Sequence, residues 1–197
     1  MGKRPLVRRR GRGGMQFRAS KTRKIAPAKY PNLDPKVSRE AEVIDLVHES
    51  GRDVPLAKIK LDDNTISFIP AILGYKIGSK VQFGYKAEII DGNVTSVQNI
   101  PDGTIVCNVE KQLGDGGSFI KSAGTYATVF SHTDNGVTLK LASGKFTTLH
   151  PKNRATIGTL AGGGVGDRPL MRAGVAWRRF RSKGQKYPIV RGVAQAS

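Results

Sequence analysis

The residues of this sequence most able to do chemistry are its 33 lysines and arginines, which outnumber 15 acidic residues and give a net charge of +18. Residues 1–30 carry eleven of them and residues 168–197 carry eight, and neither segment holds an acid. The 137 residues between them are near neutral, with fourteen basic and fifteen acidic side chains. Acid-free arms on a near-neutral body predict a folded body whose arms bind a polyanion, and nucleic acid is the leading candidate.

The N-terminal arm interleaves arginine with glycine and shows no apolar period of a strand or helix, so we do not expect it to fold alone. A disordered, solvated tail is one interpretation. Because Met15, Phe17 and Tyr30 are apolar contacts that such a tail does not need, we expect instead that the arm becomes ordered on its partner. The side chains predicted to meet phosphates are Arg8, Arg9, Arg10, Arg12, Arg18, Lys21, Arg23 and Lys24.

The C-terminal segment combines basic residues with the aromatic residues Trp177, Phe180 and Tyr187. Guanidinium groups bind phosphates and flat aromatic rings stack on bases, so this combination of residues predicts contact with RNA. Alternatively, Trp177 and Phe180 fill the core of a β module. Repeated Gly and Pro favour irregular structure over a helix between residues 170 and 180. The predicted RNA contacts here are Arg172, Arg178, Arg179, Arg181, Lys183, Lys186 and Arg191.

Catalytic residues do not assemble into any recognisable set. His48, His132 and His150 lie at predicted strand ends without metal-ligand spacing, and the glycine run 162–164 lacks the Lys-Ser/Thr ending of a P-loop. Cys107 is the only cysteine and lies in an apolar run, so we expect an inert buried thiol. We therefore expect no enzyme, cofactor, metal or small-molecule substrate. No apolar stretch is long enough to span a bilayer, so we expect no membrane partner and a cytoplasmic protein.

The elements that must position these arms are short β-strands divided by turn residues. Asp134-Asn135-Gly136 and Ser143-Gly144 are hairpin signals, because Asn and Gly tolerate a positive φ. In the second predicted strand, Pro55, Ala57, Ile59 and Leu61 share one face. The predicted strands are 41–48, 54–61, 65–70, 79–84, 104–110, 125–132, 137–142, 145–150 and 155–160.

This spacing predicts two tandem β modules that meet near residue 100 and pack together. An oligonucleotide-binding-type barrel is one option for the first module, but the pattern alone does not distinguish a small barrel from a small sandwich. The predicted organisation is a basic arm at 1–33, a first module at 34–102, and a second module with its basic C-terminal segment at 103–197.

Several runs in series resemble the ribosomal protein L-two family, the universal second protein of the large ribosomal subunit. They are GTIVCNVE (103–110), GDGGSFIKSAGTYATV (114–129), NRATIGTLAGGGV (153–165), RPLMRAG (168–174) and YPIVRGVA (187–194). The opening MGKRPLVRRRGRGGMQFR resembles the archaeal and eukaryotic branch of this family. The resemblance covers practically the whole chain.

The resemblance implies a mainly β protein in which an oligonucleotide-binding-type barrel precedes an SH3-like barrel, with basic extensions threaded into rRNA. It implies a primary rRNA-binding structural constituent of the large subunit that supports assembly, intersubunit association and the peptidyl-transferase region. Its implied partners are 23S-type rRNA and neighbouring ribosomal proteins. Two arginines tied to rRNA binding in the family match Arg52 in GRDVPLA and Arg154 in the R-A-T motif. For Arg52 an ordinary turn residue or a partner of Asp53 is the alternative.

Members of that family continue past the V-R-G-V-A stretch into a histidine- and glycine-rich segment and a basic tail, whereas this sequence ends at Ser197. The histidine for which a catalytic or supporting role has been proposed in the family is therefore not carried over to this chain. The competing hypothesis is a free-standing nucleic-acid-binding β-barrel protein outside the ribosome. Co-sedimentation with large subunits separates the two.

Overall fold

The computed structural model describes residues 6–33 and 37–189, and their regular structure is mostly β. The ten strands are β1 (Arg39–Val47), β2 (Leu56–Leu61), β3 (Ile66–Pro70), β4 (Lys80–Phe83), β5 (Val94–Ser96), β6 (Ile105–Cys107), β7 (Ala127–Thr133), β8 (Gly136–Leu141), β9 (Phe146–Leu149) and β10 (Arg154–Ile157). Short 3-10 turns span Leu6–Arg9, Met15–Phe17 and Val97–Asn99, and the helix α1 spans Ala173–Ser182. The mainly β prediction is confirmed.

The strands form one hydrogen-bonded sheet in the order β3-β2-β1-β4-β5-β10-β6-β7-β8-β9. Neighbouring strands are antiparallel except β4 and β5, which pair in parallel where Phe83 faces Val94. The register shifts between Val43 and Asp45 in β1, and between Val129 and Ser131 in β7, as it does at a β-bulge. Bulges of this kind bend a strand and increase its twist.

The alternation of apolar and polar residues explains the faces of these strands. In β2, Ala57, Ile59 and Leu61 are buried whereas Lys60 is exposed, as the sequence predicts. Pro55 belongs to the predicted face but precedes the strand. The predicted hairpin turns at 134–136 and 143–144 join β7 to β8 and β8 to β9.

The buried side chains of the sheet form separate clusters. One cluster is built mainly from β1 to β4 and includes Val43, Ile59 and Val81. A second is built mainly from β6 to β10 and includes Val129 and Leu139. A smaller third cluster consists of Val54, Ile72, Cys107 and Leu160. The division of the β-strands into two modules, and the closure of each module into a barrel, both stay predictions.

Each of the nine predicted strands overlaps an observed one, and the structure differs in two places. Strand β5 was not predicted, because all three of its residues are buried and a three-residue strand shows no alternation. The prediction of irregular structure between residues 170 and 180 is wrong, since α1 begins at Ala173.

The chain divides into two compact units. The described part of the first, which we call the basic unit, comprises residues 6–25, 49–52 and 167–189. The second, the β unit, comprises the described residues from 26 to 48 and residues 53–166. The module boundaries predicted at residues 33 and 102 stay a prediction. Among the described residues, no helix has the length and apolar character to cross a membrane.

Candidate nucleic-acid interface

The basic unit gathers most of the predicted RNA contacts. Its described residues include sixteen lysines and arginines but only two acids, Glu49 and Asp167. The N-terminal and C-terminal segments, which are separated by residues 26–166, therefore contribute to a single strongly cationic unit. From the sequence alone, they are two separate segments. Arg191 lies outside the described residues.

The N-terminal part of this unit is built from tight turns rather than from a long helix. The 3-10 turns at Leu6–Arg9 and Met15–Phe17 are separated by glycines, of which Gly11 and Gly13 have φ values of 76° and 67°. Glycine adopts this left-handed conformation without the steric cost that a Cβ imposes. Most of the predicted phosphate-binding side chains of this segment are exposed, namely Arg8, Arg10, Arg12, Arg18, Lys21, Arg23 and Lys24.

The C-terminal part contains the helix α1, which ends in a well-formed cap. Gly184 has a φ of 72° and donates its amide proton to Arg181 O at 3.0 Å, while Gln185 N donates to Phe180 O at 2.8 Å. These two bonds form a Schellman motif, which satisfies carbonyls that would otherwise lack partners at a helix end. The Lys183-Gly184 pair after the basic run was the available sequence signal for this helix end.

Close backbone approaches hold the three segments of the basic unit together. A Cβ atom on Gly184 would lie 2.6 Å from Ala19 N, and one on Gly51 would lie 2.6 Å from Ser182 O. Both distances are shorter than real Cβ contacts allow, so these positions require glycine. Ser50 N also donates to Arg23 O at 3.4 Å.

Glu49 is the acidic centre of the basic unit and is only 2% exposed. Its Oε1 lies 3.1 Å from Lys24 Nζ and 3.6 Å from Arg52 Nη2. Arg52, the arginine that the resemblance ties to rRNA binding, is 26% exposed and thus retains accessible surface. Glu49 is therefore an ion-pair partner of Arg52.

Arg154 lies in the β unit, at the first position of β10, and is 8% exposed. Its Nε and Nη2 donate to Glu110 Oε1 at 3.0 and 2.6 Å, and its Nη1 donates to Pro31 O at 3.2 Å. The guanidinium also lies 5.3 Å from the ring centre of Tyr30. The strand-end position agrees with the sequence analysis, but a bidentate phosphate contact needs a free guanidinium edge, and here Nε and Nη2 are bound to a carboxylate.

The polar residues around Arg154 are also buried. Burial raises the pKa of Tyr30 well above its ordinary value, so its hydroxyl remains protonated and donates to Asn108 O at 2.5 Å. Glu110 is fully buried and accepts a further hydrogen bond from Gly116 N at 3.1 Å. This network connects residues 30–31 to β10 and to the loop after β6.

One aromatic ring of the C-terminal segment lies beside a cation, and two others stack on each other. Arg181 lies over the ring of Trp177 at 4.8 Å, and Phe180 stacks on Tyr187 at 5.2 Å with an interplanar angle of 3°. Trp177 is 42% exposed and belongs to none of the core clusters of the sheet. Of the two interpretations left open by the sequence, its exposure favours an accessible ring over a core plug.

The cysteine and two of the histidines contact neighbouring residues of the β unit. Burial raises the pKa of the Cys107 thiol to about 12, as expected of an inert buried cysteine. His132 Nδ1 lies 2.7 Å from Asp102 Oδ1, and His150 Nδ1 accepts a hydrogen bond from Lys152 N at 3.2 Å. Within the described ranges, no group of three or more His, Cys, Asp or Glu side chains is arranged to hold a metal ion.

Comparison with known proteins identifies a family. Residues 90–197 match the family model described as Ribosomal Proteins L2, C-terminal domain. The large ribosomal subunit protein uL2 of Cenarchaeum symbiosum is 70% identical over 197 residues, covering 100% of this chain and 81% of the relative. The uL2 proteins of Nitrosopumilus maritimus and Sulfurisphaera tokodaii are 65% and 45% identical, covering 100% and 98% of this chain and 81% of each relative.

Proposed function

Because this chain belongs to the ribosomal protein L2 family, we propose that it is a structural constituent of the large ribosomal subunit that binds rRNA. The resemblance of its sequence motifs and the names of its relatives support this role. Its partners under this proposal are 23S-type rRNA and neighbouring ribosomal proteins, in the cytoplasm. Its contribution is to assembly, to intersubunit association and to support of the peptidyl-transferase region, without a catalytic step of its own.

The observation that carries the proposal is the charge of the basic unit. Sixteen cations against two acids create a positive field, which attracts a polyanion and repels other cationic surfaces. Binding of phosphates by these side chains releases counterions from the RNA, which supplies sequence-independent affinity. The exposed arginines of residues 8–18 and the arginines of α1 are the groups that make these contacts.

Arg52 and Arg154 act differently under this proposal. Arg52 remains partly exposed and contacts an rRNA phosphate directly, while Glu49 orients its guanidinium. Arg154 is a positioning residue, because its guanidinium is bound to Glu110 and to Pro31 O. It fixes the start of β10 and residues 30–31, and thereby the surface that the β unit presents to RNA.

The test is co-sedimentation of a tagged chain with large subunits in an archaeal host. We expect the chain to sediment with large subunits at moderate salt. A variant in which Arg8, Arg10, Arg12 and Arg18 are replaced by Gln is expected to be lost from them. The matched control replaces four exposed lysines of the β unit, Lys60, Lys80, Lys140 and Lys145, with Gln.

The control variant is expected to remain with the subunits. The proposal would be overturned if the unmodified chain did not sediment with large subunits and bound DNA and rRNA fragments with equal affinity. That result would favour a free-standing nucleic-acid-binding protein.

A further inference from the structure

We propose that a cleft in the basic unit holds one unstacked nucleotide of the bound RNA, with its base against Trp177. This inference rests on the proposed function and adds a defined ligand subsite to it. The cleft has a volume of about 560 Å³, within the ~300–1,000 Å³ typical of small-ligand sites. Residues 15–16 and 18–21 line it from the N-terminal segment, and Trp177, Arg181 and Tyr187 line it from the C-terminal segment.

The aromatic surface of the cleft suits a base. Trp177 is 42% exposed, and the Arg181 guanidinium lies 4.8 Å from its ring centre. Unstacked bases in RNA pack on aromatic rings and on arginine guanidinium planes, and every base has a flat face for such a contact. Met15, which also lines the cleft, is 89% exposed and supplies a soft apolar surface.

The charge around the cleft suits the backbone that carries such a base. Arg18, Lys21, Arg181 and Lys186 line it, and none of its lining residues is a carboxylate. An extruded nucleotide brings a phosphate on each side of its sugar, and these cations are placed to meet them. The amide groups of Gln16 and Gln185 add donors and acceptors that match the edges of a base.

Contacts within the basic unit position the walls of the cleft. The Schellman motif fixes the turn that leads from α1 to Gln185. The ring of Tyr187 is held by its stacking on Phe180. The close approach of Gly184 to Ala19 N sets the distance between the N-terminal and C-terminal walls of the cleft. A site built in this way loses little conformational entropy on binding.

Trp177 is the only tryptophan of the chain, so its fluorescence reports on the cleft directly. The experiment compares a short RNA duplex carrying one unpaired adenosine with the same duplex fully paired. We expect the full chain to bind both duplexes, and the bulged duplex to quench Trp177 at least twofold more strongly. The bulged duplex is also expected to bind more tightly, as measured by the anisotropy of a labelled RNA strand.

Variants separate stacking from general RNA binding. Trp177→Ala is expected to weaken binding of the bulged duplex by about tenfold, because the variant loses the stacking of a base on the aromatic ring. Its affinity for the paired duplex is expected to remain unchanged, and Trp177→Phe is expected to restore most of the preference. Val175→Ala, a matched control at a 49% exposed residue of α1 outside the cleft, is expected to behave as the unmodified chain.

Two results would overturn the inference. If both duplexes bind and quench equally, or if Trp177→Ala weakens both to the same degree, the cleft does not select an unstacked nucleotide although the chain still binds RNA. If neither duplex binds at low salt, the inference fails together with the proposed function. Binding of the paired duplex therefore shows whether the inference alone fails or whether the proposed function fails with it.

Discussion

Arg154 donates both its backbone amide and its guanidinium to the carboxylate of Glu110, at 3.0 Å to Oε2 and at 3.0 and 2.6 Å to Oε1. Glu110 is 0% exposed and Arg154 is 8% exposed, so the pair is screened little by water. An arginine that the family resemblance ties to rRNA binding is therefore held inside the β unit. Its effect on RNA binding should be indirect.

We expect Arg154→Ala to lower the free energy of unfolding by about 3–5 kcal/mol, because it leaves the Glu110 carboxylate buried without its cation. Denaturant titration measures this loss. In conditions where the variant is folded, its affinity for an rRNA fragment should fall less than that of Arg52→Ala. A variant of unchanged stability that loses affinity strongly would contradict the positioning role and support a direct phosphate contact.

Glu49, one of the two acids among the described residues of the basic unit, should hold this unit together through its ion pairs. Glu49→Gln weakens the contacts with Lys24 Nζ and Arg52 Nη2. We expect an increase of several-fold in trypsin cleavage after Arg23 and Lys24, measured by mass spectrometry of limited digests.

The matched control for this prediction is Glu42→Gln, at an exposed position of β1. It should leave cleavage after Arg23 and Lys24 unchanged. Equal cleavage in the unmodified chain and in Glu49→Gln would show that Glu49 does not order this segment.

Much of the β unit could be predicted from sequence because its strands alternate and its turns carry Asn and Gly. The period of the buried side chains in strand β2 and the positive φ of Gly144 in the turn before β9 are examples, because both are local properties. Strand β5 was missed because its three residues are all buried and therefore show no alternation, and because it pairs with β10, which lies more than 50 residues further along the chain. The helix α1 could not be predicted with the same ease, because Pro169 and Gly174 favour irregular structure whereas the cap at Gly184 favours a helix end.

The basic unit should dominate the salt dependence of RNA binding. Arg178 is exposed on α1, and Arg178→Ala is expected to reduce the slope of log affinity against log salt by about 0.7–0.9, the contribution of one phosphate contact. Lys145→Ala, at an exposed turn of the β unit, is the matched control and should leave the slope unchanged. Equal changes of slope in the two variants would contradict the assignment of phosphate binding to the basic unit.

Cys107 should be unreactive in the folded protein. Burial raises the pKa of its thiol to about 12, and the thiolate is the reactive form. Iodoacetamide at mildly alkaline pH is expected to label the chain only after denaturation, as followed by intact mass. Rapid labelling without denaturant would contradict the packing of Cys107 against Val54, Ile72 and Leu160.

Asp115 should contribute stability that depends on pH. Its partial burial alone would raise the pKa of the carboxyl, but hydrogen bonds from Ser118 Oγ and from the amides of Gly117, Gln112 and Lys111 lower the pKa below 3.8 overall. A lowered folded-state pKa stabilises the protein above the unfolded value and ceases to do so as pH falls through the folded one.

We therefore expect Asp115→Asn to be less stable than the unmodified chain at neutral pH, and the difference to shrink as pH falls below about 4. Unfolding midpoints measured across this range test the prediction. A stability difference that is constant with pH would contradict the role of the charged carboxylate.

The candidate interface could be predicted from sequence only in part. The excess of cations at Arg8 to Lys24 and at Arg172 to Lys186 is visible in the composition of each segment. Their assembly into one unit depends on approaches such as that of Gly184 to Ala19 N, between residues 165 positions apart, which no local pattern reveals. The burial of Arg154 likewise depends on Glu110, a partner 44 residues away.

The most direct test of the central claim is ultraviolet cross-linking of the full chain to large-subunit rRNA, followed by mass spectrometry of the cross-linked peptides. If the basic unit binds the RNA, we expect the cross-links to concentrate in residues 8–24 and 172–187, with Trp177 among the modified residues. Cross-links confined to the β unit, with those two segments unmodified, would contradict the claim that the basic unit binds the RNA.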